Sequence, residues 1–226
     1  MSPNQQHKRR LIVEAARQVL AEQGLAACSV RAIADASPLT KSAIHYYFAD
    51  LNALIDEAMA GHIEAFLSQV RAAAARGDGP VERFWAAIEA YLGAFDDNPG
   101  AALLWYDYWI DAVRKGRPEP VERMNRDVVA MLTDLLEAVP VPEAAARAEA
   151  VFSELLGLVV RQSVHRRPFA EVQQQIEFLA PGVTPPARGE PHAGPARAPG
   201  VTPPAGGEPH AGHARAPGAP HAGPAR

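Results

Sequence analysis

The sequence predicts an all-α protein, with three short helices at the N-terminus followed by a set of longer ones. Three observations carry that prediction. Before residue 180 the apolar side chains recur at the three- and four-residue spacing of one helix face, and no alternating pattern is long enough for a strand. Clusters of Gly, Pro, Asn and Asp cut this pattern into pieces of helical length. Ser, Thr or Asp stands just ahead of several pieces, where a side-chain oxygen caps the first turn.

In chain order, Leu11, Ile12, Ala15, Ala16, Val19 and Leu20 define the first helix and Gly24 stops it. Ser29 caps a second helix through Ile33 and Ala34 to Ala36, which Ser37, Pro38 and Leu39 break. Thr40 caps a third over 41–48. Asp50 caps a long fourth carrying Leu51, Leu54, Ile55, Ala58, Met59, Ile63, Phe66, Leu67 and Val70, and it ends near the Gly77 to Pro80 breaker. Asn98-Pro99-Gly100, Gly116-Arg117-Pro118 and Pro140-Val141-Pro142 divide the chain beyond residue 80 into helices of bundle length. A final helix is expected over 168–179, with Phe169, Val172, Ile176 and Leu179 on one face.

Composition bounds the function. Of 226 residues, 21 are Pro and 17 Gly, and residues 181–226 hold 12 of those prolines and 9 of those glycines. In that tail, 181–198 recurs as 199–216 with two changes, Arg188 becoming Gly206 and Pro195 becoming His213. Such sequence buries too little apolar surface to offset its ordering entropy, so it reads as a disordered linker. Metal binding through His192, His210, His213 and His221 is the weaker reading, because nothing preorganises those ligands. Lys8, Arg9 and Arg10 precede an apolar stretch, but Glu14 and Arg17 interrupt it before it reaches signal-peptide length. No apolar run is long enough to span a membrane. The expectation is a cytoplasmic protein without membrane association, and the lone Cys28 fits a reducing compartment.

Charge is unevenly distributed. Residues 1–50 hold six basic and four acidic side chains, whereas 51–180 hold twelve basic and twenty acidic ones. A mildly basic head before an acidic body fits a head that meets phosphates.

The third helix concentrates the chemistry. Thr40, Lys41, Ser42, His45, Tyr46 and Tyr47 give it hydroxyls, an ammonium and an imidazole, and Ala43 is small enough to let a base edge approach. Only Ile44 and Phe48 are left to dock it. Three short helices in the first 50 residues, with Ser-Pro-Leu-Thr joining the second and third, have the dimensions of a helix-turn-helix, in which Tyr and Lys contact phosphates and early recognition-helix residues read the major groove. Arg31, on the second helix, adds a base or phosphate contact. Each tyrosine also has a bland reading as a packing residue, and Lys41 and His45 as surface groups.

With those residues in place, Ile12, Ala15-Ala16, Gly24, Ser29-Val30-Arg31, Ile33-Ala34, Thr40-Lys41, Ile44, Tyr47-Phe48 and Leu54 resemble the N-terminal fingerprint of the tetracycline-repressor (TetR) family over about residues 8–56. The resemblance implies a homodimeric regulator of double-stranded operator DNA, usually a repressor, with a ligand-binding helical body. It places DNA contacts on Arg31, Lys41, Ser42, Ala43, His45, Tyr46 and Tyr47, beside Thr40. Two departures stand out. Pro38 occupies the turn where the family usually has glycine, so the turn must differ locally. Leu51 replaces a lysine common at the start of the fourth helix, leaving the helix N-terminus near Asp50 and Asn52 to compensate.

The expected domains are a helix-turn-helix head over 1–50, a helical ligand-binding and dimerisation body over 51–180, and the tail over 181–226. In the body, Leu104-Trp105-Tyr106-Asp107-Tyr108-Trp109 is the densest aromatic segment. Aromatics at helical spacing are more often core than pocket. The resemblance raises the pocket reading for Trp85, Phe95, Trp105, Tyr108 and Trp109, around an unknown small-molecule effector. Asp111 has Lys115 four residues on, so Asp107 is the better pocket carboxylate, and rings with a carboxylate suit a cationic or amphipathic aromatic ligand. The segment 105–136 is also loosely similar to the C-terminal domains of choline-responsive TetR regulators. The helix through Ala144, Val151, Phe152, Leu155, Leu158 and Val160 is apolar on more than one face, which suits dimerisation with the final helix. Arg161, His165, Arg166 and Arg167 read as a solvated cluster at a helix C-terminus. An enzyme is poorly supported: no phosphate-binding glycine loop or His-Glu-x-x-His is present, and Cys28 has no identifiable partner, so neither catalytic residue nor cofactor is expected. The alternative is a helical adaptor whose head does not bind DNA in the usual family manner.

Overall fold

The computed structural model describes residues 1–165 and 167–184, apart from the side chains of 97, 99 and 163. Arg166 and the repeat beyond 184, with its candidate ligands His192, His210, His213 and His221, lie outside the described residues. Within them the order is α1 (Pro3–Gln23), α2 (Val30–Asp35), α3 (Lys41–Tyr47), α4 (Leu51–Ala74), α5 (Pro80–Asp97), α6 (Pro99–Arg114), α7 (Glu119–Glu137), α8 (Ala144–Val164) and α9 (Phe169–Leu179). No strand occurs among the described residues, and no helix there is long and apolar enough to cross a membrane.

The first four helices begin where their caps dictate. Ser2 and Gln5 form a reciprocal capping box ahead of Pro3, so α1 starts eight residues before its first periodic apolar residue. Gly24, at φ 78°, closes it. Ser29 Oγ accepts from Ala32 N at 3.1 Å, Thr40 Oγ1 from Ala43 N at 3.4 Å, and Asp50 Oδ1 from Ala53 N at 2.9 Å. α3 stops one residue short of expectation because Phe48 turns to an extended backbone, φ −127° and ψ 131°. The α2–α3 turn manages without glycine: none of its residues has positive φ, and Ser37 Oγ accepts from Leu39 N at 3.1 Å. Pro38 is therefore accommodated by a Ser-anchored turn that keeps φ negative.

Two apolar cores hold these helices. One gathers Ile12, Ala16, Val19, Leu20, Ile33, Ile44, Phe48, Leu54, Ala58 and Met59. It also takes in Leu104, Tyr108 and Ala112 of α6 with Val121 and Met124 of α7. The second is built from α4, α5, α7, α8 and α9, with α4 paired most extensively with α5, and α7 with α8. α2 buries a single large side chain, Ile33, and α3 hangs on Ile44 and Phe48. Each such burial contributes about 2 kcal/mol, so the short helices owe their position to a few anchors. On α8 and α9, Val164 and Phe178 remain 86% and 84% exposed.

Candidate nucleic-acid interface and internal cavity

α3 divides cleanly by exposure. Ile44 and Phe48 point inward and Tyr47 is half-buried against the first core, while Thr40, Lys41, Ser42, His45 and Tyr46 are exposed and Ala43 lies between. Tyr46, at 71% exposure, is held edge-on to Tyr47 with ring centroids 5.0 Å apart, and its hydroxyl accepts from Gln5 Nε2 at 3.4 Å. Of the packing reading considered for both tyrosines, Tyr47 retains half and Tyr46 almost none. Arg31 is exposed beside Asp35, Nε to Oδ2 3.8 Å, so its guanidinium is available at the same end of the molecule. Arg9 supports the helix from behind: it lies over the Phe48 ring at 4.5 Å and pairs with Glu57.

The start of α4 is committed elsewhere. Leu51 packs against the first core instead of reaching outward, and Asn52 Oδ1 accepts from Lys115 Nζ at 3.2 Å. One turn on, Asp56 accepts from Tyr108 Oη at 3.0 Å and from Arg117 at 2.6 Å, while Lys115 pairs with Asp111 at 2.8 Å. Burial and the neighbouring Asp56 carboxylate push the Tyr108 phenol well above its ordinary range. This network clamps the N-terminal half of α4 to the C-terminal end of α6, and it occupies Tyr108, Asp56, Arg117 and Asp111 together.

A cavity of about 450 Å³ lies between α1, α4, α5 and α6, with Val128 and Phe152 also in its wall. Its volume is ordinary for a small-molecule site. Phe95 and Trp105 line it. The other sequence-selected aromatics are placed elsewhere. Trp85 is buried in the second core, its indole N–H donating to the Val183 carbonyl. Tyr108 belongs to the α4–α6 clamp, Trp109 is half-buried and stacks on Tyr106 at 6.2 Å, and Asp107 is exposed on α6 outside the cavity. The carboxylate on which a cationic ligand depended is thus not in the wall.

The wall contains residues that the sequence reading did not select for it. Phe66, Tyr91 and Phe95 form a ring cluster with centroids 5.1–5.5 Å apart. Phe66 was readable as apolar, but helical periodicity does not distinguish a cavity wall from a core. Arg17, His62, Gln69 and Asn98 are the polar additions, with His62 Nε2 3.3 Å from the Arg17 carbonyl oxygen. Burial, and then the Arg17 charge, hold the His62 imidazole below its ordinary value, so it is neutral at pH 7. Cys28 is 6% exposed and its thiol is pushed up to about 11 by burial, the state of an inert core residue. Among the described residues no group of three or more His, Cys, Asp or Glu is placed to hold a metal.

Comparison with known proteins agrees with this geometry. Residues 12–58 match the family model for bacterial regulatory proteins of the tetR family. The KstR2 transcriptional repressor of Mycobacterium tuberculosis is 24% identical over 129 residues, 57% of this chain and 64% of the repressor's own length. The transcriptional regulator BetI of Stenotrophomonas maltophilia is 26% identical over 182 residues, 76% of this chain and 89% of its own. Among solved structures, the multidrug binding protein EbrR complexed with imidazole superposes with a TM-score of 0.62 at 22% identity, covering 80% of this chain and 98% of that one. The matched segment runs from Ile12 in α1 through α2 and α3 into α4, and over it the chain is similar to bacterial regulatory proteins of the tetR family.

Proposed function

We propose that the chain is a ligand-responsive DNA-binding transcriptional regulator, a repressor released from a near-palindromic operator by a small, aromatic-compatible effector. The observation that carries this reading is the division of α3: Lys41, Ser42, His45 and Tyr46 exposed on a seven-residue helix, with Ile44 and Phe48 as its buried anchors. An exposed face of that composition has no packing role, and its donors are those that meet phosphates and base edges. Thr40, Ala43 and Tyr47 flank it, and Arg31 extends it. The repressor role of KstR2 and the ligand binding of EbrR are consistent with this reading.

The regulator acts as a homodimer through α8 and α9, where Val164 and Phe178 are exposed, presenting two copies of α3 to major grooves about 34–36 Å apart. The head corresponds to residues 1–50 and the ligand-binding and dimerisation body to 51–180. Ligand in the cavity favours a head spacing that does not match DNA, to the extent that it binds that state more tightly. α4 is the lever, since it lines the cavity with His62 and Phe66 and is clamped to α6 through Asp56. Selection of retained sequences from a randomised duplex pool at moderate salt tests the reading. Recovery of a palindrome is the expected result. Failure with a folded dimer would favour the adaptor reading, with Pro38 and Leu51 as its cause.

A further inference from the structure

We propose that the effector is an organic anion, an aromatic or alkyl carboxylate whose apolar body lies among Phe66, Tyr91, Phe95 and Trp105 and whose carboxylate meets the guanidinium of Arg17. This rests on the reading of the cavity as the effector site and adds the sign of the ligand.

Charge is the first argument. Among the described residues that line the cavity, Arg17 is the one full charge and none is Asp or Glu. An ammonium ligand would meet a like charge at Arg17, whereas a carboxylate would gain the paired, charge-assisted contact that guanidinium geometry favours.

The second argument is the unused donor capacity of that guanidinium. Its Nη1 reaches Glu14 at 3.2 Å, on a carboxylate that is 70% exposed and therefore well solvated. Its Nε is buried without an acceptor. A buried N–H of a charged group left unpaired is a standing demand for an acceptor. The side chain passes α4 at Gly61, where an added Cβ would lie 3.4 Å from Arg17 Cδ and 3.6 Å from Nε. Arg17 is itself a lining residue of the cavity, so a carboxylate bound there can meet its guanidinium.

Third, the remaining wall suits an apolar body with one polar end. Phe66, Tyr91 and Phe95 meet edge-on or tilted, Leu104 and Trp105 extend the apolar lining, and Arg17 and His62 lie together at the α1–α4 contact, with Gln69 and Asn98 the other polar side chains of the described wall. Neutral His62 does not repel a cation, but it supplies no negative charge either. A carboxylate at Arg17 also bridges two parts of the molecule, because Arg17 belongs to α1 of the head and the rings belong to α4, α5 and α6. Occupancy therefore acts directly on the position of α1, without an intermediate relay.

The test uses the purified full chain without DNA and three probes of matched shape: phenylbutyrate, phenylbutanol and phenylbutylamine. Binding is read by calorimetry and by tryptophan fluorescence, with Trp105→Phe identifying the cavity signal. Phenylbutyrate should bind at least about tenfold more tightly than the alcohol or the amine, in keeping with a charge-assisted contact. Arg17→Gln should abolish that preference, Arg17→Lys should keep part of it, and Arg17→Glu should reverse it toward the amine. Circular dichroism of each variant verifies the fold. Equal binding of all three probes, tightest binding of the amine, or an undiminished preference in Arg17→Gln would each overturn the proposal. Binding of none of the probes would overturn it as well and remove the cavity reading, while the duplex selection judges the DNA-binding reading independently.

Discussion

α3 and α6 are both short on aliphatic anchors and rich in aromatic and polar side chains, yet they use those side chains in opposite ways. On α3 most of the polar groups share one exposed face with Tyr46, and the helix is held mainly by Ile44 and Phe48, with Tyr47 half-buried beside them. On α6 consecutive aromatics go to different destinations: Trp105 to the cavity, Tyr106 to the Leu156 carbonyl of α8 at 2.6 Å, and Tyr108 to Asp56 of α4. A helix that meets a partner outside the chain can put all its chemistry on one side. α6, which packs on α1, α5, α7 and α8 and leaves Leu103, Asp107 and Ile110 exposed, must divide its aromatic chemistry among several neighbours inside the chain.

The comparison can be broken most forcefully at the anchors. Ile44→Ala should cost about 2–5 kcal/mol, the range for truncating a buried aliphatic side chain, measured by urea denaturation, and DNA binding should weaken beyond the loss of folded protein because α3 is held by so little else. A loss below about 1 kcal/mol would mean that α3 is anchored differently. On α6, Tyr108→Phe removes only a hydroxyl, but that hydroxyl satisfies Asp56 in a buried setting. The expected cost is about 1–2 kcal/mol, and the same substitution at Tyr46, whose hydroxyl is exposed, should be near neutral for stability. Equal effects at the two tyrosines would erase the distinction between the helices.

A smaller effect sharpens it at the cavity. The His62 imidazole has its folded-state pKa lowered by burial and by Arg17, so folding favours its neutral form. That contribution is present above the ordinary value of 6.5 and is lost as pH falls through the lowered folded-state value. The difference in urea midpoint between the parent and His62→Asn should therefore shrink or change sign on acidification from pH 8 to pH 5. A difference independent of pH would place His62 in a solvated environment. Cys28, with its thiol raised to about 11, should resist alkylation at pH 8 until denaturant unfolds the first core. Rapid modification of the native chain would contradict that burial.

The same contrast explains how much of the molecule was legible in the sequence. Caps and breakers are local, so Ser29, Thr40, Asp50 and the Asn98-Pro99-Gly100 cluster located helix ends closely. The start of α1 was not located, because it depends on the capping box of Ser2 and Gln5 and not on apolar periodicity. The exposed face of α3 was legible because composition and spacing suffice when one side of a helix faces outward. The cavity was legible only at Phe95 and Trp105. Its other walls come from α1 and α4, separated from α6 by tens of residues, and no local pattern reports that Arg17 and Trp105 share a space. The participation of Leu104, Tyr108 and Ala112 in the first core was invisible for the same reason.

The central claim is that the exposed face of α3 contacts DNA, and one measurement tests it most directly. Equilibrium binding of the selected duplex is followed across a salt series for the parent chain and for Lys41→Ala. Affinity should fall linearly with salt on logarithmic axes, and the substitution should weaken binding while reducing the slope by about one, the loss of a single phosphate contact. An affinity and slope unchanged by Lys41→Ala would contradict the assignment of α3 as the DNA-contacting helix.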